Sequence, residues 1–169
     1  MIGRSLDDWL QWQESLNAGE INLGLDRIVK VANRLDLQQP AGSVFVVAGT
    51  NGKGSCVWLL EQLLLTSGAR IAAYTSPHLL KYNERIRIDG APVDDHCLVR
   101  AFERIESASD GQALTYFEYG TLAALWIFSN ASCDAWILEV GLGGRLDAVN
   151  IVEPDYSLLT TIALDHQKW

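Results

Sequence analysis

The chain has 169 residues, of which 49% are hydrophobic and 20% are charged. This length suits one domain with its own core, and this composition excludes a disordered or collagen-like chain. With 21 acidic against 13 basic side chains the formal net charge is −8, so a broad basic surface for nucleic acid or anionic lipid is missing. A polyanionic ligand would have to be held locally or through metal ions.

The first residues and the apolar runs predict a cytoplasmic protein. Residues 1–8 contain no basic stretch that leads into an apolar run, so we expect no secretory signal. The longest apolar runs, such as 43–49 and 136–140, are far below the roughly 18 residues that a membrane span requires. Cys56, Cys97 and Cys133 show no C-x-x-C pairing, and we interpret them as buried free thiols in a reducing cytoplasm.

Helical periodicity predicts two helices at the start of the chain. The first begins at a capping box formed by Ser5 and Asp8 and extends to about residue 18. The second ends before Pro40. Its apolar stripe consists of Leu25, Ile28, Val29, Ala32 and Leu35.

Short apolar runs then alternate with helical patterns. The runs 44–48, 71–74, 135–138 and 157–162 predict buried strands. Helices are predicted over about 55–66, 94–107 and 115–129, the last opened by a capping box of Thr115 and Glu118. Residues 84–89 alternate and meet Asp89-Gly90, which predicts an exposed strand entering a hairpin. This alternation predicts an α/β fold with a mostly parallel sheet flanked by helices.

In such a fold, ligands bind beyond the carboxyl ends of the parallel strands. The loop after the first strand is Gly49-Thr-Asn-Gly-Lys-Gly-Ser55, and it leads directly into a helix. A glycine-rich turn at a helix start directs backbone N–H groups at an anion, so Lys53 would reach outer phosphates and Ser55 could ligate Mg²⁺. The common P-loop spacing asks for other residues at Val47 and Gly54. A tight turn with an exposed lysine is the alternative.

The three later loops also carry candidate ligands. Ser76 can offer a hydroxyl to a metal or a phosphate, although a plain Ser-Pro turn is the alternative. Glu139 ends a buried strand, where a carboxylate is costly unless a cation or donors meet it, so it is a candidate Mg²⁺ ligand. Arg145 and Asp147 could form a loop ion pair, and His166 could complete a metal site beyond the last strand.

Five motifs in order resemble bacterial dihydrofolate synthase/folylpolyglutamate synthase, a family of the Mur ligase superfamily. They occupy residues 49–55, 74–79, 116–121, 138–147 and 165–166. The resemblance implies a P-loop NTPase-like Mur ligase ATP-binding domain. It also implies an ATP-dependent amide ligase that activates the carboxylate of dihydropteroate, or of a folate's glutamyl tail, as an acyl phosphate, which the amine of glutamate then attacks.

The same resemblance implies a role for each matching residue. The ATP phosphates would be held by Gly49, Thr50, Asn51, Gly52, Lys53, Gly54 and Ser55. Mg²⁺ would be bound by Ser55, Ser76, Glu139 and His166, and the catalytic residues would be Lys53, Glu139 and His166. The pterin substrate would be contacted by Ile21, Asn22, Leu23, Gly24, Phe117, Arg145, Leu146, Asp147 and Ala148.

Family members run to more than twice this length, so we expect residues 1–169 to be an incomplete amino-terminal ATP-binding domain without the glutamate-binding C-terminal domain. By itself this piece is expected to be inactive as a ligase, to bind ATP weakly and to self-associate through an uncovered sheet edge. The complete enzyme is expected to be a monomer that acts on small molecules, with neither nucleic acid nor membrane as a partner. A Mur-type cell-wall ligase and a nucleotide-binding module without ligase activity are the alternatives.

Overall fold

Short strands and longer helices alternate along the chain. The computed structural model describes residues 3–16, 24–37, 42–142 and 144–163. The helices are α1 (Leu6–Leu16), α2 (Asp26–Leu35), α3 (Lys53–Thr66), α4 (Asp95–Ser109) and α5 (Tyr116–Asn130). The strands are β1 (Ser43–Ala48), β2 (Ile71–Tyr74), β3 (Ile86–Ile88), β4 (Ala91–Pro92), β5 (Ala135–Glu139) and β6 (Tyr156–Leu159).

The strands form one sheet in the order β4-β3-β2-β5-β1-β6. Strand β1 is parallel to β5 and β6, and β2 is parallel to β5, whereas β2, β3 and β4 pair in antiparallel fashion. The predicted α/β fold with a mostly parallel sheet is confirmed. Because four strands point the same way, the loops that follow them lie at one edge of the sheet, where ligands of such folds bind.

Successive side chains of the central strands pack into two separate hydrophobic cores, one on each face of the sheet. Val46, Tyr74 and Leu138 belong to the larger core, which also contains side chains from α1, α2, α4 and α5. Val47 and Ile137 belong to a smaller core that faces α3. In the described part of the chain, α3 is therefore the helix that covers the second face. The described helices include none with the length and apolar character needed to cross a membrane.

Both predicted capping boxes are present. The amide of Ser5 donates to Asp8 Oδ2 at 2.9 Å, and the amide of Asp8 donates back to Ser5 Oγ at 3.2 Å. The amide of Thr115 donates to Glu118 Oε2 at 2.7 Å, and the Glu118 amide donates to Thr115 Oγ1 at 3.2 Å. Helix α1 is described only to Leu16, so its predicted end near residue 18 lies outside the described residues. Helix α2 ends at Leu35, with Asp36 as a left-handed C-cap, so the predicted stop before Pro40 is confirmed.

Two predicted strands differ from the structure. The first two residues of 84–89 belong to a 3₁₀ turn, Tyr82–Arg85, so that only Ile86–Ile88 pairs as β3 before the hairpin. The prediction of a buried strand over 157–162 is wrong in both extent and burial, since β6 ends at Leu159 and is largely exposed. The reason is its position at the end of the sheet, where in the described residues β1 is its one neighbour.

Candidate nucleotide and metal site

The loop between β1 and α3 is fixed to the segment that follows β6. The amide of Thr50 donates to the carbonyl of Thr161 at 2.6 Å, and the hydroxyl of Thr160 donates to the carbonyl of Asn51 at 2.7 Å. Gly49 has a φ of 131°, and a Cβ there would lie 2.1 Å from Thr160 Oγ1. Only glycine therefore allows this close approach. The start of the loop is therefore fixed by the segment that follows β6.

Helix α3 begins at Lys53, two residues earlier than predicted, with Gly52 in the left-handed conformation as its N-cap. No side chain caps this helix, so its first N–H groups remain available to an anion. The Lys53 ammonium donates to the carbonyls of Gly49 at 2.8 Å and Thr50 at 3.2 Å. A positive charge and free helix amides thus meet inside one short loop.

Glu139 stands at the end of β5 beside this loop. Its side chain is buried, and its Oε2 accepts the backbone N–H of Ser76 at 3.0 Å. A Cβ on Gly54 would lie 3.9 Å from Glu139 Oε1, so the loop and the carboxylate are close neighbours. Burial raises the pKa of Glu139, while the Ser76 amide and the charges of Lys53 and Arg87 oppose that shift. A cation next to the carboxylate would favour its ionised form.

The donor set at this edge fits a magnesium ion. Ser55, Ser76 and Glu139 line one open cleft of about 610 Å³. In the described residues Glu139 Oε1 has no hydrogen-bond donor, which leaves it free for a cation. Hydroxyl and carboxylate oxygens are hard ligands of the kind that Mg²⁺ prefers, usually with several waters retained. Among the described residues, no three His, Cys, Asp or Glu side chains lie close enough together to hold a metal ion by themselves. The candidate ligand His166 lies outside the described residues.

Asp147 and Phe117 form a second part of the candidate site. Asp147 is only 2% exposed, and its carboxylate accepts the amides of Leu142 at 2.7 Å and Val149 at 3.1 Å. Burial raises the pKa of Asp147 to about 6, although these backbone donors oppose the shift. Phe117 lies against Gly141, where a Cβ would lie 2.5 Å from its ring. The ring of Phe117 and the loop that carries Asp147 are thereby brought together.

The remaining predicted substrate residues differ in their burial. Ala148 is buried directly after Asp147, whereas Arg145 and Leu146 are exposed. The suggested ion pair between Arg145 and Asp147 is absent, because the Asp147 carboxylate is bound to backbone amides instead. Gly24 lies just before α2. Three candidate substrate residues, Ile21, Asn22 and Leu23, lie outside the described residues.

An ion pair joins the first turns of α2 and α5 next to Phe117. Arg27 of α2 donates to Glu118 of α5 at 3.1 Å, so the start of α2, preceded by Gly24, is tied to the start of α5. Glu118 is buried and also closes the capping box of α5. The same carboxylate therefore joins the starts of both helices near Phe117.

Sequence reasoning missed a polar network that lines the cleft. Arg87 of β3 forms an ion pair with Glu61 of α3 at 2.9 Å, and Glu61 is 1% exposed. The Arg87 guanidinium also donates to Thr75 Oγ1 at 3.0 Å. A signal existed in the sequence, since a carboxylate within the apolar run 57–65 of α3 requires a buried partner.

A glycine-rich loop between a parallel strand and a helix, with a carboxylate on the neighbouring strand, is typical of a nucleotide-binding domain. No family model matches the chain. It is 51% identical over 97% of its length to the dihydrofolate synthase/folylpolyglutamate synthase of Escherichia coli (strain K12), and 38% identical over 84% of its length to the folylpolyglutamate synthase of Lacticaseibacillus casei. The chain belongs to the dihydrofolate synthase/folylpolyglutamate synthase family, of which it matches the amino-terminal part.

Solved structures of this family share the fold. E. coli FolC in complex with DHPP and ADP superposes with a TM-score of 0.94 at 50% identity, over 98% of this chain and 40% of that one. A bifunctional folylpolyglutamate synthase/dihydrofolate synthase with Mn, AMPPNP and L-glutamate bound superposes with a TM-score of 0.92 at 50% identity, over 98% of this chain and 40% of that one. The chain spans about two fifths of the length of the curated relatives it matches.

Proposed function

We propose that the protein containing this chain is an ATP-dependent ligase that joins L-glutamate to dihydropteroate and to the glutamyl tails of folates. The observation that carries the proposal is the meeting of Lys53, Ser76 and Glu139 at one edge of the sheet. The charge of Lys53 also reaches the buried carboxyl of Asp147. Similar proteins have been solved with DHPP and ADP, and with AMPPNP and L-glutamate. Residues 1–169 would form the amino-terminal ATP-binding domain of this ligase, incomplete without the glutamate-binding domain.

The loop 49–55 would bind the phosphates of ATP. Its backbone is already fixed by the bonds to Thr160 and Thr161, so little ordering entropy would be lost when the anion binds. Lys53 would exchange the carbonyls of Gly49 and Thr50 for phosphate oxygens. Because phosphoryl transfer depends mainly on positioning and charge neutralisation, this fixed positive charge accounts for a large part of the rate.

Ser55, Ser76, Glu139 and His166 would hold Mg²⁺. The metal would supply neutralisation of the phosphate charge during transfer to the substrate carboxylate. Within this chain, the Ser76 amide orients the Glu139 carboxylate by donating to Oε2, and leaves Oε1 for the metal. An acidic protein can in this way accept several phosphate groups without a basic surface.

The pterin ring would lie against Phe117, next to Asp147 and Ala148. An aromatic face suits a flat heterocycle, and a buried carboxylate can accept hydrogen bonds from ring N–H and amino groups. Gly24 and residues 21–23 would complete the pocket on the side of α2, and the exposed Arg145 and Leu146 would lie at its rim. The inactivity of residues 1–169 as an isolated ligase stays a prediction.

We further propose a cytoplasmic monomer that acts on small molecules and has neither nucleic acid nor membrane as a partner. The net charge of −8 on residues 1–169 supports the last part of this proposal, because it disfavours binding to nucleic acid or to an anionic membrane. Light scattering on the full-length protein, with and without ATP, would measure its mass directly. A stable dimer under both conditions would contradict the monomer.

The ligase itself is tested by ADP release from the full-length protein. We expect release to require dihydropteroate or a folate together with glutamate, and mass spectrometry to find a product longer by one glutamate. Nucleotide binding without substrate-dependent ADP release would instead favour a regulatory nucleotide-binding module. A requirement for a nucleotide-sugar substrate would favour the cell-wall ligase.

Replacement of the loop lysine tests the phosphate site within the same assay. We expect Lys53→Ala to lower turnover by at least about a hundredfold, the effect of removing one preorganised charge partner of the transition state. Lys30→Ala is the matched control, because Lys30 is exposed on α2 away from the loop. Wild-type turnover in Lys53→Ala would remove Lys53 from the site.

A further inference from the structure

Arg87 connects three elements that surround the candidate metal site. Its guanidinium binds Glu61 of α3 through Nε at 3.1 Å and Nη2 at 2.9 Å. Its Nη1 donates to Thr75 Oγ1 at 3.0 Å and to the carbonyl of Glu84 at 2.9 Å. One side chain of β3 therefore holds helix α3, the end of β2 and the 3₁₀ turn before β3 in one fixed arrangement.

The residue that Arg87 holds is directly followed by a candidate metal ligand. Thr75 precedes Ser76, whose amide donates to Glu139 Oε2 at 3.0 Å. The backbone of Thr75 is fixed as well, because its amide donates to the carbonyl of Arg85 at 2.8 Å. Both the hydroxyl and the backbone of Thr75 are thus tied to the β3 side, so the Ser76 amide reaches Glu139 from a defined position.

The same guanidinium fixes the other side of the cleft. Glu61 lies on the helix whose first turn carries Lys53 and Ser55, and it is 1% exposed. A carboxylate buried to this degree is stable only with its charge partner, so Arg87 and Glu61 form an obligatory pair. The three residues of this network, Glu61, Thr75 and Arg87, border one cleft with Ser55, Ser76 and Glu139.

We propose that Arg87 is a positioning residue of the metal site, which acts through Thr75 and Glu61 to set the distance between Ser76 and the start of α3. The inference rests on the proposed function for the presence of a metal, but its structural part concerns only this chain's residues. The forked geometry of arginine matters here, because the ammonium of lysine cannot bind a carboxylate by two bonds and a hydroxyl by a third from one plane.

The proposal is tested by measuring the affinity of the full-length protein for Mn²⁺ in the presence of ADP. Electron paramagnetic resonance detects the free Mn²⁺ in this titration. The double variant Arg87→Met/Glu61→Gln removes both charges and avoids a lone buried carboxylate. We expect its Kd for Mn²⁺ to rise by about tenfold or more, as is usual when a partner of a ligand is lost. We expect Arg87→Lys to weaken binding as well. A folded double variant with wild-type affinity, or full affinity in Arg87→Lys, would overturn the proposal.

A single substitution and a matched control complete this test. Should the double variant not fold, Thr75→Val removes only the hydroxyl that Arg87 binds, and we expect it to weaken Mn²⁺ binding by at least about threefold, a fraction of the loss expected when a whole ligand partner is removed. Arg70→Met is the matched control, since Arg70 forms an exposed ion pair with Asp89 at 3.2 Å at the opposite end of β2. Unchanged affinity in Thr75→Val would count against the inference.

Hydrogen exchange of the metal-free protein separates this inference from the proposed function. The Ser76 amide should exchange faster in Arg87→Met/Glu61→Gln and in Thr75→Val than in the wild type, because its bond to Glu139 is less well held. Absence of Mn²⁺ binding in the wild type would contradict the proposed function alone. An unchanged Ser76 exchange rate in both variants would contradict the positioning role whether or not the protein is a ligase.

Discussion

Glu139 combines burial with a free carboxylate oxygen, and this combination makes it the most direct probe of the metal site. Glutamine at this position keeps the size and the acceptor for the Ser76 amide but removes the charge. We expect Glu139→Gln to fold and to need at least about tenfold more Mg²⁺ for half-maximal ADP release, because divalent cations prefer charged oxygen ligands. Titration of Mg²⁺ in the ligase assay measures this.

The matched control is Glu153→Gln, an exposed glutamate in the segment before β6. It should keep the Mg²⁺ dependence of the wild type. The same Mg²⁺ requirement in Glu139→Gln would show that Glu139 is a structural carboxylate whose role ends with the Ser76 amide.

Asp147 makes the stability of the protein depend on pH. Its pKa is about 6 in the folded protein, against 3.8 for an ordinary aspartate. Between these values the folded state binds more protons than the unfolded state. The free energy of unfolding therefore falls as the pH rises from about 3.8 to about 6, and this contribution is constant outside that window.

We expect Asp147→Asn to lose this part of the pH dependence. Urea denaturation at several pH values between about 4 and 7, a range that brackets the two pKa values, should show a shallower decline of stability in the variant than in the wild type. Asp110→Asn is the control, because Asp110 is exposed at the end of α4 in a left-handed conformation that asparagine also accepts. Equal slopes in Asp147→Asn and wild type would show that Asp147 titrates normally.

At the scale of single elements, the start of α5 determines where Phe117 lies. The Thr115 hydroxyl accepts the Glu118 amide at 3.2 Å, and the helix behind it is buried between the sheet and other helices. We expect Thr115→Ala to lower the free energy of unfolding by about 1 kcal/mol, the usual value of an N-cap. Thermal or urea denaturation measures it.

Thr66→Ala provides the comparison for this prediction. The Thr66 hydroxyl donates only to the Leu63 carbonyl at 2.6 Å, at the exposed end of α3. Its loss should change stability by no more than about 0.5 kcal/mol, as is usual for surface positions. Equal effects of the two substitutions would show that the box does not stabilise α5.

The elements that sequence predicted well are those whose signals are local. Capping boxes and glycine turns depend on neighbouring residues, so both boxes and the turn after Asp89 were predictable. β6 was mispredicted because its apolar run resembles that of a central strand. Its place at the end of the sheet depends on strand order, which no local pattern encodes.

In the candidate site, too, some contacts were predictable from the sequence and others were not. The position of Glu139 beside the loop 49–55 followed from the rule for parallel strands. The contact of Arg87 with Glu61 did not, because it joins a β-hairpin to a helix that is distant in sequence. Alternation along 84–89 suggested an exposed side chain, whereas Arg87 is largely covered by the pairing itself.

At the scale of the described structure, the helices are distributed unequally over the two faces of the sheet. Four helices pack on one face of the sheet, and in the described residues α3 alone packs on the other. Trp58, Leu59 and Leu63 of α3 are more than half exposed, at 59%, 54% and 59%. Exposed apolar surface is therefore present on α3 and at β6.

This distribution predicts that residues 1–169, expressed alone, self-associate through β6. An edge strand offers unpaired backbone groups to a second copy. Tyr156 and Leu159 of β6 are 56% and 67% exposed, and Ile162 beyond the strand is 83% exposed. Light scattering should show a mass that rises with protein concentration. Leu159→Lys should reduce it, because a charge on an edge strand opposes pairing. Leu79→Lys, in a loop where Leu79 is 90% exposed, should not. A constant monomer mass, or equal effects of both variants, would contradict association through this edge.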